Sequence, residues 1–208
     1  MANWITISRF PLLALFLVAL YTSGPQVRLA LVLVLFLLLM LDTVDGQVAR
    51  ARNQTSLLGS VLDIAADRAN ELALWVAFSD LGLIPIFIPL TVILRTVLTD
   101  SFRSIGVGQG QAPFDQHRSR LGRFLVKSGW MRTSYSVSKV LAFCGLTLAL
   151  ALSGYPVGSG VARLAPIVHQ IFVAVSWVAA AICVLRGLPV IAGALRRYWL
   201  GGNAPPAA

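Results

Sequence analysis

The sequence predicts an all-α, polytopic membrane protein with six transmembrane helices and both termini cytoplasmic. Three observations carry that expectation. The 208 residues are 57% hydrophobic and only 12% charged, about half the charged fraction of a soluble domain. Mean hydropathy is +0.80. Apolar runs approaching the roughly 20 residues that a helix needs to cross a bilayer recur along the chain, separated by turn residues or charge. A water-soluble globule is thereby excluded. Abundant Leu, Val, Ile and Ala exclude a disordered chain, and Cys144 and Cys183, each within an apolar run, exclude a disulfide scaffold.

Taken in order, the first span covers about 5–22 and is closed by the turn residues Ser23-Gly24-Pro25. The second opens at 29–41 and must continue past Asp42 and Asp45 toward Arg50. A third covers about 57–78 and ends at Asp80-Leu81-Gly82. The fourth runs over about 83–99, with Pro85 and Pro89 in its first turns, where a missing N–H matters least. The fifth, about 137–152, stops at Ser153-Gly154-Tyr155-Pro156. The sixth covers 165–185, with an apolar tail toward Leu195.

Charge sets the orientation. With the N-terminus inside, all of the 17 basic residues except Arg28 and Arg163 fall at or near the cytoplasmic side, as expected where loops face anionic lipid. The net charge of +9 is therefore read as a membrane feature, with no nucleic-acid partner. No cleavable leader follows Arg9, so the first span is expected to stay. The whole of 1–208 is expected to form one membrane domain, with a basic, Gly-containing cytoplasmic loop at 104–132. His117 is expected in that loop and His169 in helix packing or at a membrane interface, neither as a metal ligand. Asn53-Gln54-Thr55 matches a glycosylation acceptor, but on a cytoplasmic turn the match has no meaning.

The acids hold the chemistry. Only eight are present, and Asp42, Asp45, Asp63 and Asp67 crowd the facing ends of two proposed helices. An ionised Asp at mid-bilayer costs roughly 2.5–3.5 kcal/mol, so an intramembrane acid implies a functional partner. Asp42 and Asp45 are i,i+3 and Asp63 and Asp67 are i,i+4, so each pair shares a helix face. A short turn between the helices would bring the pairs to similar depth. Four converging carboxylates repel one another unless a cation intervenes. An all-oxygen set suits Mg²⁺ or Mn²⁺, and several carboxylates can bridge two such ions. Small residues nearby, Gly46, Ala49 and Gly59, leave room for a ligand against backbone, and Arg50 is placed for a phosphate. A proton or ion pathway in a transporter is the competing reading of the same acids. Glu71, one turn beyond Asp67, is expected as a packing partner for Arg68 or Arg95.

Read together, Asp42-x2-Asp45-Gly46-x2-Ala49-Arg50-x8-Gly59-x3-Asp63-x3-Asp67 resembles in full the signature of the CDP-alcohol phosphotransferases, membrane enzymes of phospholipid synthesis. The resemblance implies a homodimer of six-helix protomers in a bacterial or archaeal cytoplasmic membrane, with the site facing the cytoplasm. It implies transfer of a substituted phosphate, typically from CDP-diacylglycerol, to a polar alcohol with release of CMP. Under it, Asp42, Asp45, Asp63 and Asp67 resemble ligands for two divalent ions, Mg²⁺ or Mn²⁺. Asp67 also resembles the base that takes the acceptor's proton. Gly46, Ala49 and Gly59 would line the cytidine pocket and Arg50 would meet the donor phosphates.

Acceptor choice lies outside the motif. Arg95, Arg103 and Lys139, at cytoplasmic helix ends, suggest an anionic acceptor. Asn3-x2-Thr6-x2-Arg9 and Arg95-x7-Arg103 resemble segments of the phosphatidylglycerophosphate synthases, which use glycerol 3-phosphate. Thr96, Ile64 and Arg68 depart from that subfamily's pattern, so inositol phosphate, serine or another alcohol stays open. Membrane prenyltransferases, which also set Asp-rich motifs around Mg²⁺ and pyrophosphate, are the nearest rival enzymes. They lack the Gly46-x2-Ala49-Arg50 segment.

Overall fold

A computed structural model describes the backbone of residues 2–51, 57–108, 129–156 and 158–195. Among these, six α-helices and no strands are present: α1 (Ala2–Thr22), α2 (Pro25–Ala51), α3 (Leu57–Asp80), α4 (Phe87–Gly108), α5 (Gly129–Ser153) and α6 (Gly160–Leu195). Each matches one expected apolar run. The bounds differ at the ends where local chemistry overrides hydropathy. α4 starts at Phe87 and not near Leu83, because Pro85 favours an extended residue before it and a turn occupies residues 81–84. It runs on to Gly108, and α5 begins at Gly129, so both ends of the expected 104–132 loop are helical. Residues 109–128 of that loop, His117 among them, lie outside the described residues.

Two helical segments, Thr133–Ser153 and Gly160–Leu195, are long and apolar enough to cross a membrane, while Ile7–Thr22 and Pro25–Met40 are shorter apolar stretches. Large apolar side chains such as Leu15, Leu33, Phe87 and Leu94 stand on the outside. In water such a surface would aggregate; against lipid it is the favourable one.

The chain divides into two compact units, residues 1–89 with 139–176 and residues 90–138 with 177–208. In the first, α1 packs on α2 and α3. Its turns show why the helices stop where they do. Gly82 has φ +70, and the N–H groups of Gly82 and Leu83 bond back to the carbonyls of Ser79 (3.0 Å) and Phe78 (2.9 Å). That left-handed cap satisfies the last carbonyls of α3. At the end of α1, Arg28 donates to the carbonyls of Leu20 (3.0 Å) and Tyr21 (3.2 Å), and the Tyr21 hydroxyl donates to Asp80 at 2.7 Å. His169 packs as expected, with Nε2 2.7 Å from the Leu83 carbonyl.

The core of this unit is aromatic. Trp75 meets Phe143 edge-on at 4.6 Å between centroids, and Phe78 stacks on Phe143 at 5.7 Å. Beside it, α5 and α6 touch through Gly145, where an added Cβ would overlap the Phe172 ring. Gly145→Ala is therefore expected to cost about 1–3 kcal/mol through overpacking, read as a lower melting temperature in detergent. Adding Phe172→Ala in the same chain should recover part of the loss. A Gly145→Ala protein that melts like the parent would show that the ring has room to move.

In the second unit, the middle of α4 lies against α6: a Cβ on Gly187 would come within 2.7 Å of Arg95 Nε. Arg95 is buried, and the Arg186 guanidinium lies 5.8 Å from the centre of the Tyr135 ring.

Candidate active site

α3 supplies the centre of the site. Asp63, Asp67 and Glu71 are spaced i, i+4, i+8, so the helix lays three acids along one face. Each of them faces a cation from another helix, Asp63 its own and Asp67 and Glu71 a shared one. Arg9, buried in α1, donates through Nη1 to Asp63 Oδ1 at 3.0 Å. Lys139, from α5, donates to Glu71 Oε2 at 3.1 Å and stands 3.8 Å from Asp67 Oδ1. Arg68 Nη1 lies 3.8 Å from Glu71 Oε2 on the same helix, in keeping with the expected Glu71–Arg68 contact.

Exposure divides the acids. The side chains of Asp63 and Asp67 are 47% and 44% exposed, those of Glu71 and Lys139 only 2% and 13%. The two aspartates can therefore meet a ligand while retaining their protein contacts. The Glu71–Lys139 pair sits behind them in the packed interior, where a buried charge persists only with its partner.

A cleft opens at this stripe. Its polar wall is Arg9, Asp67, Asn70, Glu71 and Lys139, and its apolar wall comes from leucines of α1, α2 and α3 together with Phe143. It is open to solvent on one side and holds about 480 Å³ of empty space with its open mouth included. Asn70 Oδ1 is buried and has no hydrogen-bond partner among the described residues. A polar floor with an apolar side wall suits an amphipathic substrate.

The other expected site residues fall in different places. Asp42, Asp45, Gly46, Ala49 and Arg50 are on the helical backbone of α2, ahead of α3 in the chain, and their side chains lie outside the described residues. Arg103 is on α4 with its side chain likewise outside them. Gly59 is half-buried on α3, one turn before Asp63. Lys139 stands among the acids of α3, whereas Arg95 belongs to the second unit, where its Nε is buried without a hydrogen-bond partner among the described residues. Among the described residues no three metal-ligating side chains converge. Asp63 and Asp67, half of the expected carboxylate set, are hard oxygen donors that fit Mg²⁺ or Mn²⁺, and each already faces a cationic group.

Two participants are absent from the motif, Arg9 and Glu71. Glu71 had a signal, since it continues the four-residue spacing of Asp63 and Asp67 and is the only Glu in the chain. Arg9 lies 54 residues from Asp63, and no local pattern announces that contact.

Comparison with known proteins adds one match. A family model described as CDP-alcohol phosphatidyltransferase covers residues 1–182, which include all of α1 to α5, the acid stripe and Lys139. No curated protein matches the chain.

Proposed function

The chain belongs to the CDP-alcohol phosphatidyltransferase family, and from that premise we propose that it transfers the phosphatidyl group of CDP-diacylglycerol to glycerol 3-phosphate, giving phosphatidylglycerophosphate and CMP. That it is a transferase of phosphatidyl groups follows from the family, and the family with the two long apolar helices makes it a membrane protein. The acceptor, the metal requirement and the residue roles are the proposal. The observation that supports it best is Asp67: half-exposed, on the rim of a cleft with an apolar wall, within reach of Lys139.

In this reading the acceptor hydroxyl enters beside Asp67. An alcohol is a weak nucleophile at neutral pH, so a carboxylate about 3 Å from its O–H must take the proton as the new bond forms. The oxygen attacks the β-phosphorus of the donor, the bond from that phosphorus to the bridging oxygen breaks, and CMP leaves with the electron pair. Asp42, Asp45, Asp63 and Asp67 would hold two divalent ions, whose chemistry when bound is neutralisation of charge on the phosphate oxygens. Gly46, Ala49 and Gly59 would admit the cytidine against backbone, and Arg50 would meet the donor phosphates. Lys139, Arg95 and Arg103 would receive the acceptor's phosphate. In this reading the six helices span the cytoplasmic membrane with both termini cytoplasmic and the site at the inner leaflet, so acyl chains stay in lipid while nucleotide and acceptor stay wet. The working unit in this reading is a homodimer of single-domain protomers.

The test offers CDP-diacylglycerol, with Mg²⁺ or with a chelator, to a panel of glycerol 3-phosphate, inositol phosphate and serine, and measures CMP. Release with glycerol 3-phosphate alone, lost on chelation, is the expected result. Release with inositol phosphate or serine instead reassigns the acceptor, and release in chelator removes the metal. Arg95→Ala and Lys139→Ala should each raise the KM for the alcohol phosphate about tenfold while the donor KM stays within about twofold. Equal effects on both substrates would place the acceptor phosphate elsewhere.

A further inference from the structure

A buried acid in an apolar helix requires a reason, and the family signature ends at Asp67 without supplying one for Glu71. The side chain of Glu71 is only 2% exposed, yet it lies one turn beyond Asp67 on the wall of the same cleft. The Lys139 ammonium faces both acids and favours one. It is within hydrogen-bonding distance of Glu71 at 3.1 Å, and at 3.8 Å from Asp67 it is too far for a hydrogen bond.

We infer that Glu71 is a positioning residue: it holds the Lys139 ammonium back from Asp67, so that the Asp67 oxygens remain open to the acceptor hydroxyl. The inference rests on Asp67 being the base. The cation keeps its attraction for Asp67 at 3.8 Å, and with it the orientation of that side chain, without occupying the oxygen that must receive a proton. Arg68, 3.8 Å from Glu71 on its own helix, contributes a second positive charge that offsets the buried carboxylate. With Glu71 neutral, the ammonium has one carboxylate left among these contacts. It would close on Asp67 as a direct charge-assisted hydrogen bond, shorter and stronger than the present contact.

A double-mutant cycle in the full-length enzyme tests this, with CDP-diacylglycerol and glycerol 3-phosphate, or whichever alcohol the panel selects, as substrates. Glu71→Gln is expected to lower kcat about tenfold with the donor KM changed less than about twofold. In a Lys139→Gln background the same Glu71→Gln change should lower kcat by less than about twofold, because no ammonium is left to collapse onto Asp67. Loss of kcat by the same factor in both backgrounds would overturn the inference, as would a Glu71→Gln enzyme that turns over within about twofold of the parent. So would a cycle in which the melting temperature is coupled and kcat is not, since that describes an ion pair with a structural role only. If Glu71→Gln does not fold, Glu71→Asp keeps the charge while withdrawing it by one methylene, and an unchanged kcat there also overturns the inference. Asp67→Asn separates the two layers: if that variant turns over normally, the base assignment itself fails, whereas an inactive Asp67→Asn beside a fully active Glu71→Gln removes the positioning role alone.

Discussion

Asp67→Asn is expected to lower CMP release by about 10²–10⁴-fold, the contribution of a positioned general base, while binding of the CDP-linked donor remains measurable. The amide is nearly isosteric, so α3 and the cleft should persist, and Asp67 is 44% exposed and not part of the packed interior. What disappears is an oxygen able to accept the hydroxyl proton, together with the charge that faces Lys139 at 3.8 Å. Steady-state CMP release and equilibrium binding of a CDP-linked donor are the two measurements. A variant that binds donor and turns over like the parent would remove Asp67 from the base role. Loss of both binding and turnover would instead make its contribution to holding the donor dominant.

Trp75→Ala is expected to produce the largest loss of stability. Trp75 is fully buried and meets Phe143 edge-on, and Phe143 also stacks on Phe78 and forms part of the cleft wall. Truncation of a buried Trp or Phe to Ala costs about 3–5 kcal/mol, much of it from the cavity left behind. In a bilayer the unfolded helices remain in an apolar solvent, so packing accounts for most of the loss and the lower end of that range is expected. Trp75→Phe should cost far less: it retains a ring against Phe143 and removes a buried indole N–H that has no hydrogen-bond partner among the described residues. Thermal melting in detergent reads both. If Trp75→Ala melts with the parent, the aromatic triad is not a stabilising core. Because Phe143 connects this cluster to the cleft, Trp75→Ala should also lower activity below its melting temperature.

Local spacing alone makes much of the molecule legible. Apolar runs broken by Ser23-Gly24-Pro25, Asp80-Leu81-Gly82 and Ser153-Gly154-Tyr155-Pro156 correspond to the intervals between the observed helices, because a helix must end where backbone groups need a turn to satisfy them. The i,i+4 interval placed Asp63 and Asp67 on one face of α3, since 3.6 residues make a turn regardless of surroundings. The signature itself was enough to assign the family that the match over residues 1–182 supports. Hydropathy served less well at helix ends: it took no account of how Pro85 delays α4, or of the polar turns added to α4 and α5 at 104–108 and 129–132.

Sequence alone therefore determined the helical class, the helix order and the face of α3 that bears acids, because each depends on residues within a few positions of one another. The cation that meets each acid was settled only by the folded chain. Arg9 reaches Asp63 across 54 residues and Lys139 reaches Glu71 across 68. Periodicity orients a side chain around its own helix axis but says nothing of which helix packs opposite, and that choice comes from the docking of α1 and α5 around α3. The division of one ammonium between Asp67 and Glu71 is a difference of 0.7 Å between contacts at 3.8 and 3.1 Å, a quantity that exists only once three helices are packed together.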